Sequence, residues 1–320
     1  MPDYPRRRFL QLAAHSAGFT TALSAFPTSI RRALALPAAQ VTGTIQDIQH
    51  VVVLMLENRS FDHYSAFEVS RTVIPFLYRT VRRSSSNQMA RKRFLLFHLD
   101  TRTTSALRVP STPHTFRDAQ GAWNQGRLDT WPKFKTPISM GHYHRKDIPF
   151  QFALAEAFTL CDAHHCSITT GTDPNRIAFW SCSNFDPERR RGENCTAADA
   201  EVNNLRCLVS DALPTPGYQY QGSAFTWPTL PELLESAGIS WRIYQDPNDN
   251  WTGLMHGGLA FKAFRDAQPG TPLYEKGMTH GSLQRLTQDV RSGALPQVSW
   301  VLPLHALVRT PGSLQPPARS

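Results

Sequence analysis

Two segments near the end of the sequence follow one plan, and that plan restricts the fold more than any other feature. In Leu230-Pro231-Glu232-Leu233-Leu234-Glu235-Ser236-Ala237 the leucines recur at helical spacing with a proline in the first turn. Gly238 is placed to cap that helix, and Ile239-Ser240-Trp241-Arg242-Ile243-Tyr244 is rich in the β-branched and aromatic residues of a strand. The plan returns with a helix over 283–291, Gly293 ending it, and Gln297-Val298-Ser299-Trp300-Val301-Leu302 as the strand. An earlier unit over 147–167 predicts a helix on Ile148-Pro149-Phe150-Gln151-Phe152-Ala153-Leu154-Ala155-Glu156 and a strand on Phe158-Thr159-Leu160-Cys161. Helices that alternate with buried strands act as crossovers between parallel neighbours, so the expectation is an α/β layered domain with a largely parallel sheet. In such sheets ligands gather at the carboxyl ends of the strands.

Chemistry concentrates at two places that fit this rule. The continuous apolar run Val51-Val52-Val53-Leu54-Met55-Leu56 reads as a strand covered on both faces, and it stops abruptly at Glu57-Asn58-Arg59-Ser60-Phe61-Asp62-His63. A carboxylate and an amide oxygen at a strand end are oxygen donors suited to a divalent cation. The second place is Thr169-Thr170-Gly171-Thr172-Asp173-Pro174-Asn175-Arg176. Gly171 permits a tight turn, Asp173 can cap, and Pro174 suits a first helical turn, so Thr172 is expected where a loop enters a helix. Free backbone N–H groups and the positive helix end make that position receptive to phosphate, and a nearby cation would make the hydroxyl a nucleophile.

The formal net charge of +9 on 320 residues invites a nucleic-acid reading, but its distribution argues against one. Arg71, Arg79, Arg82, Arg83, Arg91, Lys92 and Arg93 occupy one stretch without an acid, and Arg6, Arg7, Arg8, Arg31 and Arg32 sit near the N-terminus. Elsewhere the charges balance to a slight acidic excess, and no groove of interleaved cations and aromatics is visible, so no nucleic-acid partner is expected. Arg6-Arg7-Arg8-Phe9-Leu10 leading into an uncharged stretch, then Ala33-Leu34-Ala35, looks like a twin-arginine signal peptide over residues 1–35. Export to the periplasm or beyond through the twin-arginine machinery is the expectation. No internal run is long and apolar enough for a transmembrane segment. The five cysteines, Cys161, Cys166, Cys182, Cys195 and Cys207, are an odd count for a disulfide framework, with Cys195–Cys207 a pair able to oxidise later. Cys161-Asp162-Ala163-His164-His165-Cys166 fits no standard zinc spacing, which favours buried structural thiols.

Taken together, the sequence resembles the bacterial phospholipase C and acid phosphatase family of phosphoesterases, within the alkaline-phosphatase-like superfamily. The resemblance rests on Glu57-Asn58-Arg59-Ser60-Phe61-Asp62-His63-Tyr64, Thr112-Pro113-His114-Thr115, Ala122-Trp123-Asn124-Gln125-Gly126-Arg127-Leu128-Asp129 and Met140-Gly141-His142-Tyr143. It continues to Arg176, over 229–246 and over 289–301, and is closest to the phosphocholine-preferring phospholipase C branch. It implies a three-layer α/β fold with helices on both faces of a largely parallel sheet. It also implies a divalent metal bound by Glu57, Asn58 and Thr172, attack of Thr172 on phosphorus to give a phosphothreonine intermediate, and release of the phosphorylated headgroup by water. His114 matches a histidine near the phosphate, in the role of phosphate contact or leaving-group acid, while Asn175 and Arg176 buttress the nucleophile turn. The substrate class is a phospholipid or small phosphoester. Trp123, Trp131, Tyr143, Trp180 and Trp251 are the candidates for a choline cage, with core packing the plainer role for each, and Asp246-Pro247-Asn248-Asp249-Asn250 is a candidate cation loop or a strand-ending turn.

Two regions depart from the family pattern. Residues 65–93 form an atypical basic segment, and residues 304–320 read as a non-family tail without the later acidic metal ligands of the family. The expected organisation is therefore a signal peptide over 1–35, a partial catalytic domain over 36–303 with its C-terminal part missing, and a tail. Shifted reading frames in both regions are the working explanation, and one uninterrupted, correctly read gene encoding this sequence would refute it. An acid phosphatase acting on monoesters and a non-catalytic exported fragment are the alternatives to a phospholipase C-type phosphodiesterase.

Overall fold

The computed structural model of the chain describes residues 26–36, 42–56, 60–65, 87–89, 92–94, 96–161, 164–185, 224–245 and 257–302. In chain order the elements used below are α1 (Thr28–Ala35), β1 (Val51–Leu54), α2 (Phe61–Ser65), β2 (Asn87–Met89), β3 (Lys92–Phe94) and β4 (Phe97–His98). They continue with α3 (Phe116–Trp123), α4 (Trp131–Lys135), β5 (Gly141–His142), α5 (Pro149–Ala157), α6 (Thr172–Ser181) and α7 (Leu230–Ser236). The last are β6 (Trp241–Tyr244), α8 (Lys262–Arg265), α9 (Pro272–Gly277), α10 (Leu283–Ser292) and β7 (Val298–Val301).

The repeated helix–glycine–strand plan is realised. Helix α7 opens with a reciprocal capping box, in which Glu232 reaches back to the Thr229 backbone, and Gly238 follows at φ +67°. Helix α10 ends at Gly293 in the left-handed region, φ 71°. Each helix then feeds a four-residue strand, and β6 and β7 pair in parallel from Trp241↔Val298 to Tyr244↔Val301. Strand β1 joins the other side of β7, also in parallel, from Val51↔Val298 to Leu54↔Val301. The described sheet thus has the order β1-β7-β6, all parallel, as the alternation requires. Two short pairs, β2-β3 antiparallel and β4-β5 parallel, lie apart from it. The fold is α/β with parallel strands.

The main core lies on this sheet. Trp180 of α6, Trp241 of β6 and Trp300 of β7 are each 3% exposed or less, and they pack with Ile177, Phe261 and Phe264. The Trp180 and Trp300 rings are 4.9 Å apart between centroids and tilted, which seats α6 directly on the central strand. A second cluster, around Leu99, Tyr143, Ile148 and Phe152, backs the β4-β5 pair. A third joins Ile30 of α1 to Ala153 and Ala157 of α5.

Three sequence expectations need correction. Strand β1 is not covered on both faces: Val51, Val52 and Leu54 are about half exposed, and among the described residues β1 is also an edge strand with β7 as its strand neighbour. Residues 158–161 do not form a strand. The backbone is extended at Phe158, which closes α5 and packs beside Ile30 and Ala157, but no strand pairs with it. Cys161, Cys166 and Cys182 are exposed and unbridged rather than buried, and the first two lie on or just after that unpaired stretch. Cys195 and Cys207 fall outside the described residues. No described helix is long and apolar enough to cross a membrane.

Candidate functional site

Thr172 is the first residue of α6, at the entrance of a ten-residue helix, as its turn chemistry predicts. The cap is Gly171 in extended backbone rather than Asp173, which lies fully buried in the first turn. Thr172 itself is only partly buried. Its approach loop is fixed by one side chain. The Asn175 amide accepts from Ile168 N–H at 3.2 Å, and donates to Ile168 C=O at 3.0 Å and to Gly171 C=O at 2.8 Å. A single amide therefore binds the loop at its start and at the peptide joining Gly171 to Thr172. Behind it, Arg176 and Ile177 are buried, so the helix cannot turn on the sheet without breaking the core.

His114 lies just before α3, partly buried. Two contacts set its neighbourhood. Thr115 caps α3, its hydroxyl oxygen accepting from Asp118 N–H at 3.2 Å. Lys135 of α4, which is buried, donates its ammonium to the Pro113 carbonyl at 2.6 Å, next to His114 in the chain. Burial pushes that ammonium below the usual lysine range, while Asp118 opposes the shift. The His114 and Thr172 segments meet through Gln120, whose side chain donates to Thr169 C=O at 3.0 Å. The helix following His114 is thereby tied to the loop that carries Thr172. Glu57 and Asn58 lie outside the described residues, as do Trp251 and residues 246–250. Of the aromatic candidates, Tyr143 and Trp180 are core residues, Tyr143 donating to Ala106 C=O at 2.7 Å, whereas Trp123 is exposed.

The structure also assembles a group that sequence reasoning missed. His98, His144 and Asp147 bring two ring nitrogens and a carboxylate oxygen within 4.8 Å of one another, a set that could hold a metal ion. Asp147 Oδ2 is 2.7 Å from His98 Nε2 and accepts from His144 N–H at 2.9 Å. Its Oδ1 accepts from the Thr101 N–H at 3.1 Å and the Thr101 hydroxyl at 3.0 Å. Burial alone would raise this carboxyl, but the bonds from His98, from the Thr101 and His144 backbones and from the Thr101 hydroxyl hold it well below the usual carboxylate range. The motif Met140-Gly141-His142-Tyr143 pointed to the neighbourhood; nothing local in the sequence pointed to a pairing of residues 98 and 147.

A comparable network buttresses the sheet. Tyr244 donates to Asp289 Oδ2 at 2.7 Å and Arg285 to Oδ1 at 2.8 Å. Burial disfavours the Asp289 carboxylate, yet these donors keep its carboxyl below the ordinary value, while burial and the carboxylate push the Tyr244 phenol up. This network ties α10 to β6 and has no free acidic group to offer a substrate.

Residues 48–314 match the Phosphoesterase family. The non-hemolytic phospholipase C of Pseudomonas aeruginosa is 43% identical over 317 residues, covering 97% of this chain and 43% of that protein. The protein of the same name from Burkholderia pseudomallei is 39% identical over 331 residues, covering 94% of this chain and 44% of its own length. The hemolytic phospholipase C of Pseudomonas aeruginosa is 34% identical over 324 residues, covering 93% and 42%. The chain spans less than half the length of each of these relatives. A match over most of its residues, carrying the Thr172 helix and the His114 segment with it, makes the chain a member of the phosphoesterase family.

Proposed function

We propose that this chain carries the nucleophile-bearing part of an exported phospholipase C-type phosphodiesterase that acts on phosphatidylcholine-like lipids. The observation that carries the reading is Thr172 at the mouth of α6, partly exposed, on a loop held by Asn175 and linked through Gln120 to the His114 segment. Relatives named phospholipase C support the reaction class.

In this reading the Thr172 hydroxyl oxygen attacks phosphorus, its proton passing to solvent, and the bond from phosphorus to the diacylglycerol oxygen breaks. His114 delivers a proton to that leaving oxygen, and diacylglycerol departs. Water then attacks the phosphothreonine and releases phosphocholine with Thr172 restored. The N–H groups opening α6 lie where charge grows on the non-bridging oxygens. Glu57, Asn58 and the Thr172 hydroxyl are a carboxylate, an amide oxygen and a hydroxyl, an all-oxygen donor set that suits a divalent cation. Bound there, the cation would lower the hydroxyl pKa and neutralise phosphate charge. Export through the twin-arginine machinery belongs to the same reading and rests on Arg6-Arg7-Arg8 and the uncharged stretch behind them.

The test is hydrolysis of p-nitrophenylphosphorylcholine and of p-nitrophenyl phosphate by the full chain, with and without added divalent metal, for wild type, Thr172→Ala and Thr172→Ser. The expected result is metal-dependent turnover of the diester, lost in Thr172→Ala and partly kept in Thr172→Ser. Preference for the monoester would make the protein a phosphatase. Metal binding without turnover of either substrate would refute catalysis by this chain. Export is tested separately: Arg6→Lys with Arg7→Lys should retain the protein in the cytoplasm, and undiminished export would contradict the leader.

A further inference from the structure

The parallel pair β4-β5 places His98 beside His142 in register, and both strands end there. The turn beyond β5 brings the His144 ring flat against His98, with centroids 3.9 Å apart and planes within 6°, and the His142 ring lies 5.2 Å from His144. Asp147 closes the group from below, its side chain fully buried, while His98 keeps about a quarter of its side-chain surface open. The stack brings ring nitrogens of two imidazoles to one side of the Asp147 carboxylate, and the neutral imidazole is the form that binds metals. The carboxylate is held by three donors besides His98: the Thr101 N–H, the Thr101 hydroxyl and the His144 N–H. Such outer bonds orient a ligating carboxylate and fix its charge. The His144 ring makes no hydrogen bond among the described residues, so it can turn toward an ion at small cost.

We propose that His98, His144 and Asp147 form a binding site for a zinc-class divalent ion, with a water-accessible fourth position and no residue shared with the Glu57, Asn58 and Thr172 set. Two imidazole nitrogens and one carboxylate oxygen match ions of the zinc, cobalt and nickel type, and not magnesium or calcium, which take all-oxygen shells. For the ion to enter between His98 Nε2 and Asp147 Oδ2, the ring proton of neutral His98 moves to Nδ1, which frees Nε2 to ligate with no net loss of a proton. Acid competes with the ion for the same ligand atoms, so affinity falls as pH falls. The three atoms lie within 4.8 Å of one another, and bonds of about 2.0–2.1 Å set separations of ~3.3 Å, so the 2.7 Å pair of His98 and Asp147 opens slightly while the His144 ring turns in, by side-chain rotation alone. The site clips the end of β4 to the turn before α5, so occupancy stabilises this half of the molecule. The inference does not depend on the reading of Thr172.

The experiment uses the full chain stripped with a chelator and titrated with cobalt and zinc, followed by cobalt absorption and calorimetry. Wild type should bind one ion with the bands of mixed nitrogen and oxygen ligation, apart from any ion held by oxygen alone, and His144→Ala and His98→Ala should each lose at least tenfold in affinity for that nitrogen-ligated ion. Circular dichroism of each variant without metal checks that it is folded. Imidazole NMR signals of wild type supply a readout that needs no variant: those of His98 and His144 should move together on adding zinc. Four results would overturn the proposal. They are no binding by wild type, binding undiminished in His144→Ala, a sulfur charge-transfer band that disappears in Cys161→Ser with Cys166→Ser, and zinc shifts confined to other histidines.

Discussion

The Thr172 region and the His98 region are held by opposite means. Helix α6 is seated by bulk: Ile177 and Trp180 press into an aromatic core built on β6 and β7, and the sheet beneath is a regular parallel ladder. The β4-β5 region has two-residue strands and a smaller core, and a buried carboxylate with four donors does much of the positioning. Burial of apolar area is tolerant of detail and strong in sum, whereas a polar hub is specific and fails when one group is lost. The two regions should therefore respond to different insults.

The largest effect is expected in the aromatic core. Trp180→Ala removes the contact that seats α6 on Trp300 and should cost about 3–5 kcal/mol in denaturant unfolding. A loss below about 1 kcal/mol would mean the helix is held by something other than this core. Asp147→Ala leaves the Thr101 and His144 N–H groups without their acceptor and should cost about 1–3 kcal/mol. Because the folded-state carboxyl is depressed, its contribution is fully present above the unfolded value near 4 and is lost as pH falls toward the folded one. Wild type should thus lose part of its stability on acidification below about pH 4, and Asp147→Ala should show a shallower loss. Parallel curves for the two proteins would count against the hub.

Asn175→Ala sharpens the contrast, because it loosens a loop and spares the core. It should cost about 1 kcal/mol in stability, yet lower kcat about tenfold with KM within twofold, since Thr172 would lose its fixed approach. A change in KM alone would move Asn175 from positioning to substrate binding. The smallest effect is expected at the exposed strand: Val52→Thr on half-exposed β1 should stay within about 0.5 kcal/mol. A larger loss would show that β1 is covered in solution.

How far the sequence disclosed these regions follows from the same contrast. Helices α7 and α10, their glycine caps and the strands after them were readable because each signal lies within a few residues, and so was the start of α6 at Thr172. Local signals fail at residues 158–161, where strand-like composition finds no partner strand, and at β1, where a continuous apolar run is half exposed. In the sequence Asp147 reads only as the residue before a helix. Its bonds to residues 98 and 101 cross nearly fifty positions, and no local spacing encodes a pairing of that length. Asn175 stood between these cases: the motif named it, and the structure supplied its three bonds.

The central proposal is that the Thr172 hydroxyl oxygen receives phosphorus. Turnover of a phosphocholine diester by the full chain, quenched in acid and mapped by mass spectrometry, tests this directly. The expected result is a phosphocholine group on the peptide carrying Thr172, absent in Thr172→Ala. An adduct on any other residue, or wild-type turnover by Thr172→Ala, would contradict it.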